Sequence, residues 1–243
     1  MQDSFYRNFL NEEDKIIAFI GGGGKTTLIQ RISNDCQSLG KKVIILSLFP
    51  FITPLDANVF VSEDVSILKK QLKRELSKIN ILYIGKEYQR GTLANFSSND
   101  IKAILKDIPC DHVFIEADST KGRSISGYNR IPATIFQNID RYINVLGADA
   151  FNQVNNTNWI AYQDQFWRSK RVLTPMDIAA WHKAHPLFEK LSQKSLPATF
   201  FINKVENIFI ENIAIPLGKS FKLTDVDRVI IGSVYNSNLH VIK

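Results

Sequence analysis

The chain has 243 residues, 44% of them hydrophobic and 22% charged, with a formal net charge of +6. That is enough apolar material for one large α/β domain, and it excludes the low-hydrophobicity, high-charge composition of a disordered chain. No apolar run approaches the roughly 20 residues of a membrane helix, and the N-terminus MQDSFYRNFLNEEDK carries acids where a signal peptide needs an apolar block. A cytoplasmic protein without a membrane partner is expected.

The first informative stretch is KIIAFIGGGGKTTL. Residues 16–20 read as a buried strand, and the segment after Gly24 has helical periodicity in Leu28, Ile32 and Leu39. A glycine loop thus joins a strand to a helix N-terminus. Gly21, Gly22, Gly23 and Gly24 lack Cβ atoms and can turn backbone N–H groups toward one point, and the helix dipole adds to that field. Such a nest suits phosphate. Lys25 is placed to reach the β- and γ-phosphates, and the hydroxyl of Thr26 or Thr27 to complete the shell of a magnesium ion. The full G-x-x-x-x-G-K-[ST] pattern wants a glycine where Phe19 stands, so the loop is a short G-x-x-G-K-T-T variant. A dinucleotide fingerprint fits poorly, because Thr26 occupies the place of its third glycine.

Residues 42–48 form a second buried strand, β-branched and without alternation, as a parallel sheet covered on both faces requires. FPFITP then breaks regular structure. An amphipathic helix follows over 64–79, with Val65, Leu68, Leu72, Leu76 and Ile79 on one stripe. Its bases Lys69, Lys70, Lys73 and Arg74 read as a solvated face; without interleaved aromatic residues they do not point to nucleic acid. A short strand at 81–84, a loop at 86–92, and a helix capped by Ser97 or Ser98 and ended by Pro109 come next.

In DHVFIEADSTKGR, residues 113–117 read as a strand whose apolar run ends in acids. Glu116 and Asp118, two apart, are expected on one face of it. A carboxylate at the C-terminal end of a buried strand is costly unless something binds it. In a phosphate-loop fold such an acid holds magnesium and orients the attacking group. Asp118 and Glu116 are therefore assigned catalytic roles with Lys25, and Asp118 shares the metal with Thr26. Lys121 and Arg123 follow at once, as donors for a phosphate or anionic substrate.

Residues 141–146 read as a strand with Gly147-Ala148-Asp149 as its exit. The polar, Asn-rich stretch from 152 to 167 has no clear period. Thr174-Pro175 starts a helix carrying Ile178, Trp181 and His182, and a second begins near Pro186. His185 is expected at the helix junction, with a substrate contact as the alternative. Residues 198–202 form a further buried strand, and Asn203 and Lys204 behind it can line a base site. The acid of the guanine-reading N-K-x-D pattern is Glu206 here, one methylene longer, so ATP and GTP both stay open as the nucleotide. Residues 228–234 close the sheet. The two cysteines, Cys36 and Cys110, form no C-x-x-C pair and are expected as reduced thiols.

Taken together these stretches predict one α/β domain over 1–243, a P-loop NTPase-like three-layer sandwich around a mostly parallel sheet, with a small helical lobe or lid inserted over 150–195.

The same residues resemble the YqeC-type family, accessory proteins of selenium-dependent hydroxylases. The resemblance rests on the short loop ending in Lys25-Thr26-Thr27, the E-A-D-S-T-K-G-R segment ending at Arg123, the strand with Gly147, LTPMDIAAW, His185-Pro186, Asn203-Lys204 and the closing IIGS. It implies a P-loop nucleotide-binding protein, taking ATP or GTP with Mg2+, in the maturation of molybdenum-containing hydroxylases; the implied partner is such a hydroxylase or its cofactor. The chain departs from the family pattern at Ser47-Leu48-Phe49-Pro50, at Ser126 and Arg130-Ile131-Pro132, and at Trp167-Arg168. A nucleotide-driven ligase or kinase, and a nucleotide-dependent switch or chaperone with little turnover, remain as alternatives.

Overall fold

The computed structural model describes residues 5–106, 108–128, 131–222, 226–236 and 238–242. The first residues of the acidic N-terminal stretch and Arg130 lie outside them. The chain folds as two compact units, Met1–Ala18 with Ile29–Ala117 and Ile131–Asp140, and Phe19–Leu28 with Asp118–Arg130 and Arg141–Lys243. The class is α/β with a mostly parallel sheet, as the alternation of buried β-branched runs and amphipathic helices implies.

In chain order the first unit holds the start of β1 (Ile16–Gly21), most of α1 (Lys25–Ser38), β2 (Val43–Ser47), β3 (Phe51–Ile52), β4 (Val59–Val61), α2 (Val65–Leu76), β5 (Ile81–Gly85), β6 (Tyr88–Gln89), β7 (Thr92–Leu93), α3 (Ser98–Leu105) and β8 (His112–Glu116). β2 lies between β8 and β5, and β4 adds outside β5, all parallel. Every residue of β2 and β5 is buried, which explains their unbroken apolar sequences. Asp64 caps α2 by accepting from the N–H groups of Ser66 and Ile67, and Leu68, Leu72 and Leu76 form its buried stripe. Ser97 and Asp100 make a capping box at α3.

Residues 86–92, expected as loop, instead make the hairpin β6–β7, to which β3 adds antiparallel. Its two-residue turn is Arg90-Gly91, both at positive φ (49° and 78°), the geometry that matches the twist of paired strands. Leu39, expected on the apolar face of the first helix, lies beyond the end of α1 and is half exposed.

The second unit begins with Phe19–Leu28, which spans the end of β1, the glycine loop and the first turn of α1. It continues with β9 (Ile125–Ser126), β10 (Arg141–Gly147), β11 (Ile160–Ala161), α4 (Gln165–Arg168), α5 (Pro175–Ala184), α6 (Pro186–Gln193), β12 (Ala198–Asn203), α7 (Ile208–Lys222), β13 (Arg228–Gly232) and β14 (Leu239–Ile242). β12 lies between β10 and β13, all parallel, and β14 closes the edge antiparallel to β13. All of β10 and β12 is buried. β9 and β11 pair separately.

Thr174 caps α5 with Pro175 in its first turn, as read from the sequence. His185 takes the junction role: its Nδ1 accepts from Leu187 N–H at 3.2 Å and so caps α6. The stretch 150–195 contains the short β11 and the helices α4, α5 and α6, and α5 packs against both α6 and α7. α7 was not legible in the sequence. Asn207 caps it, accepting from Ile210 N–H at 2.9 Å, but Pro216 stands in its interior. No helix among the described residues is long and apolar enough to cross a membrane.

Candidate phosphate-loop site

β1, buried from Ile17 onward, delivers the chain into four glycines, and α1 starts at Lys25, where the carbonyl of Gly24 takes the first helical bond from Leu28 N–H at 3.0 Å. Gly21 and Gly23 are required by contact as much as by conformation. A Cβ on Gly21 would sit 2.1 Å from the Val145 carbonyl and 2.5 Å from Asn144 Oδ1, and one on Gly23 would sit 2.3 Å from Gly147 N. Both have positive φ, 92° and 73°.

The nest expected from the sequence forms differently. Gly21 N–H donates to Asp118 Oδ2 (3.2 Å), Gly22 N–H to the Val145 carbonyl (2.8 Å) and Gly23 N–H to the Arg123 carbonyl (2.9 Å). These donors clamp the loop onto the scaffold rather than pointing at a common centre. The donors for an anion are those of the helix start, where the N–H groups through Thr27 have no intrahelical carbonyl. Thr26 and Thr27 are half-buried there. Lys25 is 4% exposed, and its Nζ donates to the Gly21 carbonyl at 2.5 Å.

Asp118 is 1% exposed. Its Oδ2 takes the Gly21 amide, and its Oδ1 is buried without a hydrogen-bond partner among the described residues. Burial pushes its pKa up, against the opposite pull of Lys25, the Ser126 hydroxyl and the N–H groups of Gly21 and Ser119. β8 ends at Glu116, so the strand expected to carry both acids stops before Asp118; Glu116 falls in the first unit and Asp118 in the second. In the first unit the Glu116 carbonyl accepts from Leu48 N–H at 3.0 Å and from the Ser47 hydroxyl at 3.0 Å.

Behind the loop, Asn203 at the end of β12 donates from Nδ2 to the Gly23 carbonyl (2.8 Å) and accepts at Oδ1 from Val234 N–H (3.1 Å). Lys204, at φ 65°, pairs with Asp149 at 2.7 Å and donates to Ser124 Oγ at 3.1 Å. Glu206 is exposed, with one oxygen 3.5 Å from Ser233 Oγ. Arg123 donates from Nε to the Thr157 carbonyl, and Lys121 is exposed in a turn at φ 50°. The second unit therefore holds the glycine loop, Lys25, Thr26, Thr27, Asp118, Lys121, Arg123, Asn203 and Lys204.

A family model described as YqeC protein matches residues 17–163, more than half of the chain. The chain belongs to the YqeC family. No curated protein matches it. Among solved structures, a crystal structure of FtsY from Mycoplasma mycoides is similar with a TM-score of 0.32 and 14% identity, over 94% of this chain and 57% of that one. This YqeC chain thus spans little more than half the length of that protein.

Ser47 and Trp167 are built into the scaffold: Ser47 Oγ accepts from Phe49 N–H at 3.0 Å, and the fully buried Trp167 donates from its backbone N–H to Asp164 Oδ1 at 3.1 Å.

Sequence reasoning missed a buried polar chain beside the loop. Tyr128 Oη donates to Asn144 Oδ1 at 2.8 Å, and Asn144 Nδ2 meets His182 Nε2 at 2.9 Å. The signal was present: Asn144 is the one amide in the otherwise apolar run YINVLG of a fully buried strand.

Proposed function

We propose that this YqeC-family protein binds a nucleoside triphosphate, ATP or GTP, with Mg2+, at the glycine loop and the start of α1. The observation that carries the reading is Asp118. A carboxylate oxygen buried without a partner beside Lys25 and a glycine loop is costly in the free protein and suited to a cation. Asp118 Oδ1 and the Thr26 hydroxyl would hold the ion. Among the described residues no group of three or more His, Cys, Asp or Glu could hold a metal, so the ion would come with the phosphates rather than reside in the protein. The chemistry such an ion would supply is positive charge against the phosphates.

Lys25 would exchange the Gly21 carbonyl for the β- and γ-phosphates, and the helix-start N–H groups would take the remaining oxygens. Lys121 and Arg123 follow Asp118 in the chain, where they supply cations for an anionic group beyond the phosphates. The reading extends to an accessory role in the maturation of a molybdenum hydroxylase, with that enzyme or its cofactor as partner; membership of the YqeC family supports this part.

Calorimetric titration with ATP and GTP, with and without magnesium, tests the central claim. Lys25→Ala should cost about 1.5–3 kcal/mol of binding, roughly ten- to a hundredfold in Kd. Unchanged affinity for both nucleotides would remove the proposal.

A further inference from the structure

The first unit contains a small polar cavity of about 170 Å³ that has no part in the phosphate loop. Three elements enclose it. Asn34 and Gln37, three apart and so on one face of α1, line one side, and Asp56 and Asn58, in the loop between β3 and β4, line another. Ile81 and Tyr83, alternate residues on one face of β5, are its buried side. Tyr83 N–H donates to the Asn58 carbonyl at 2.9 Å, which ties the loop to β5 before any guest arrives.

Tyr83 is only 4% exposed, yet its hydroxyl meets no partner among the described residues. That hydroxyl is not one of the fully buried unpartnered oxygens, so it is part of the little surface Tyr83 keeps, and that surface lines the cavity. Burial, and then the charge of Asp56, push the phenol pKa up to about 12, which keeps it a neutral donor and acceptor. The side chains of Asn34, Gln37, Asp56 and Asn58 likewise make no hydrogen bond or ion pair with another described residue. Asp56 is the one charged group lining the cavity; no lysine, arginine or histidine does so. An anion would therefore enter against an uncompensated carboxylate. The three amides can turn either end inward and adapt to a guest, whereas Asp56 only accepts and so fixes the sign of the partner. A cavity well under the roughly 300 Å³ of common ligand sites holds a guest of few non-hydrogen atoms. Acceptors spread over three elements suit a planar fork of N–H donors better than a compact ammonium, which is a single point charge.

We infer that this cavity is a second binding site, taking a small organic cation of the guanidinium class, held by the Asp56 carboxylate and the Tyr83 hydroxyl and bordered by the amides of Asn34, Gln37 and Asn58. It is independent of nucleotide binding at the loop. The test is a titration of the full chain with methylguanidinium chloride and with methylurea at constant ionic strength, followed by NMR at the side-chain NH2 groups of Asn34, Gln37 and Asn58. The two probes share a planar shape and differ in charge. Methylguanidinium should shift these signals saturably and bind at least about tenfold more tightly than methylurea. Asp56→Asn, an exposed change, should remove that preference. Tyr83→Phe, which deletes a hydroxyl that no other described residue holds, should weaken methylguanidinium severalfold. Shifts that do not saturate, equal affinity for the two probes, a preference that survives Asp56→Asn, or a Tyr83→Phe variant that binds as the wild type does would each overturn the inference.

Discussion

The glycine loop with Asp118 and the strand exit at Asn203-Lys204 both read as nucleotide contacts in the sequence, and the structure treats them differently. At the exit Asn203 bridges the Gly23 carbonyl and the Val234 amide, and Lys204 is held between Asp149 and Ser124, where Asp149 Oδ1 alone is left without a hydrogen-bond partner among the described residues. At the loop Asp118 keeps one oxygen buried and unmet. Satisfied buried groups hold a scaffold in place. An unsatisfied one is a cost the free protein bears, and a ligand can remove it. By that criterion Asp118 and, at the exit, Asp149 each carry an oxygen that a ligand could satisfy, while Asn203 holds the loop in place.

The hardest blow to this contrast would fall on the clamp. Gly21→Ala would push a methyl into the Val145 backbone at a φ of 92°, where neither side can yield. It should destabilise the fold by roughly 3 kcal/mol or more. Thermal unfolding reads this directly, and a variant that melts with the wild type would show that the loop is not held as described.

Asp118→Asn sharpens the other half. Because burial raises the Asp118 pKa above its ordinary 3.8, the folded state holds that proton more tightly than the unfolded chain does. Stability from this group is therefore greatest at low pH and falls as pH rises from about 4 through the raised value. Asparagine has no such proton, so the variant should be the more stable one at neutral pH, by about 1–3 kcal/mol. The gap should close on acidification, while magnesium-dependent nucleotide binding is weakened. Melting curves across pH would contradict this if the gap stayed constant.

The smallest effect is expected at the exit. Glu206 keeps the acceptor of a guanine-reading acid but displaces it by about one C–C bond, and it is exposed. Discrimination between ATP and GTP should be tenfold or less, about 1.4 kcal/mol, and Glu206→Asp should raise the preference for GTP. A thousandfold preference in the wild type, measured by competition, would make the exit a specificity site and erase its difference from the loop.

How much of this was legible depended on whether the signal was local. The loop, α1 and α5 announced themselves because glycine runs, Lys-Thr-Thr and Thr-Pro starts act within a few residues. β2 and β5 did so through apolar runs, and β10 and β12 through runs interrupted by Asn144 and Thr199. α7 stayed hidden because Ile208, Ile210, Ile213 and Ile215 favour strand by propensity and Pro216 argues against helix; packing on β12 and β13 overrides both. The shared face expected of Glu116 and Asp118 rested on a period of two, which holds only while the strand lasts, and β8 stops at Glu116. Likewise the glycines revealed that backbone would come close to something, but not that the something was the protein's own Val145 and Arg123 carbonyls.

That clamping has a bearing on how fast a ligand is captured. A loop whose amides at Gly21, Gly22 and Gly23 are already bonded has little conformational freedom left to lose, so the ordering cost of complex formation is met during folding. Encounter should then be limited by diffusion and by the field of Lys25 and the α1 terminus rather than by loop rearrangement, and it should slow with added salt.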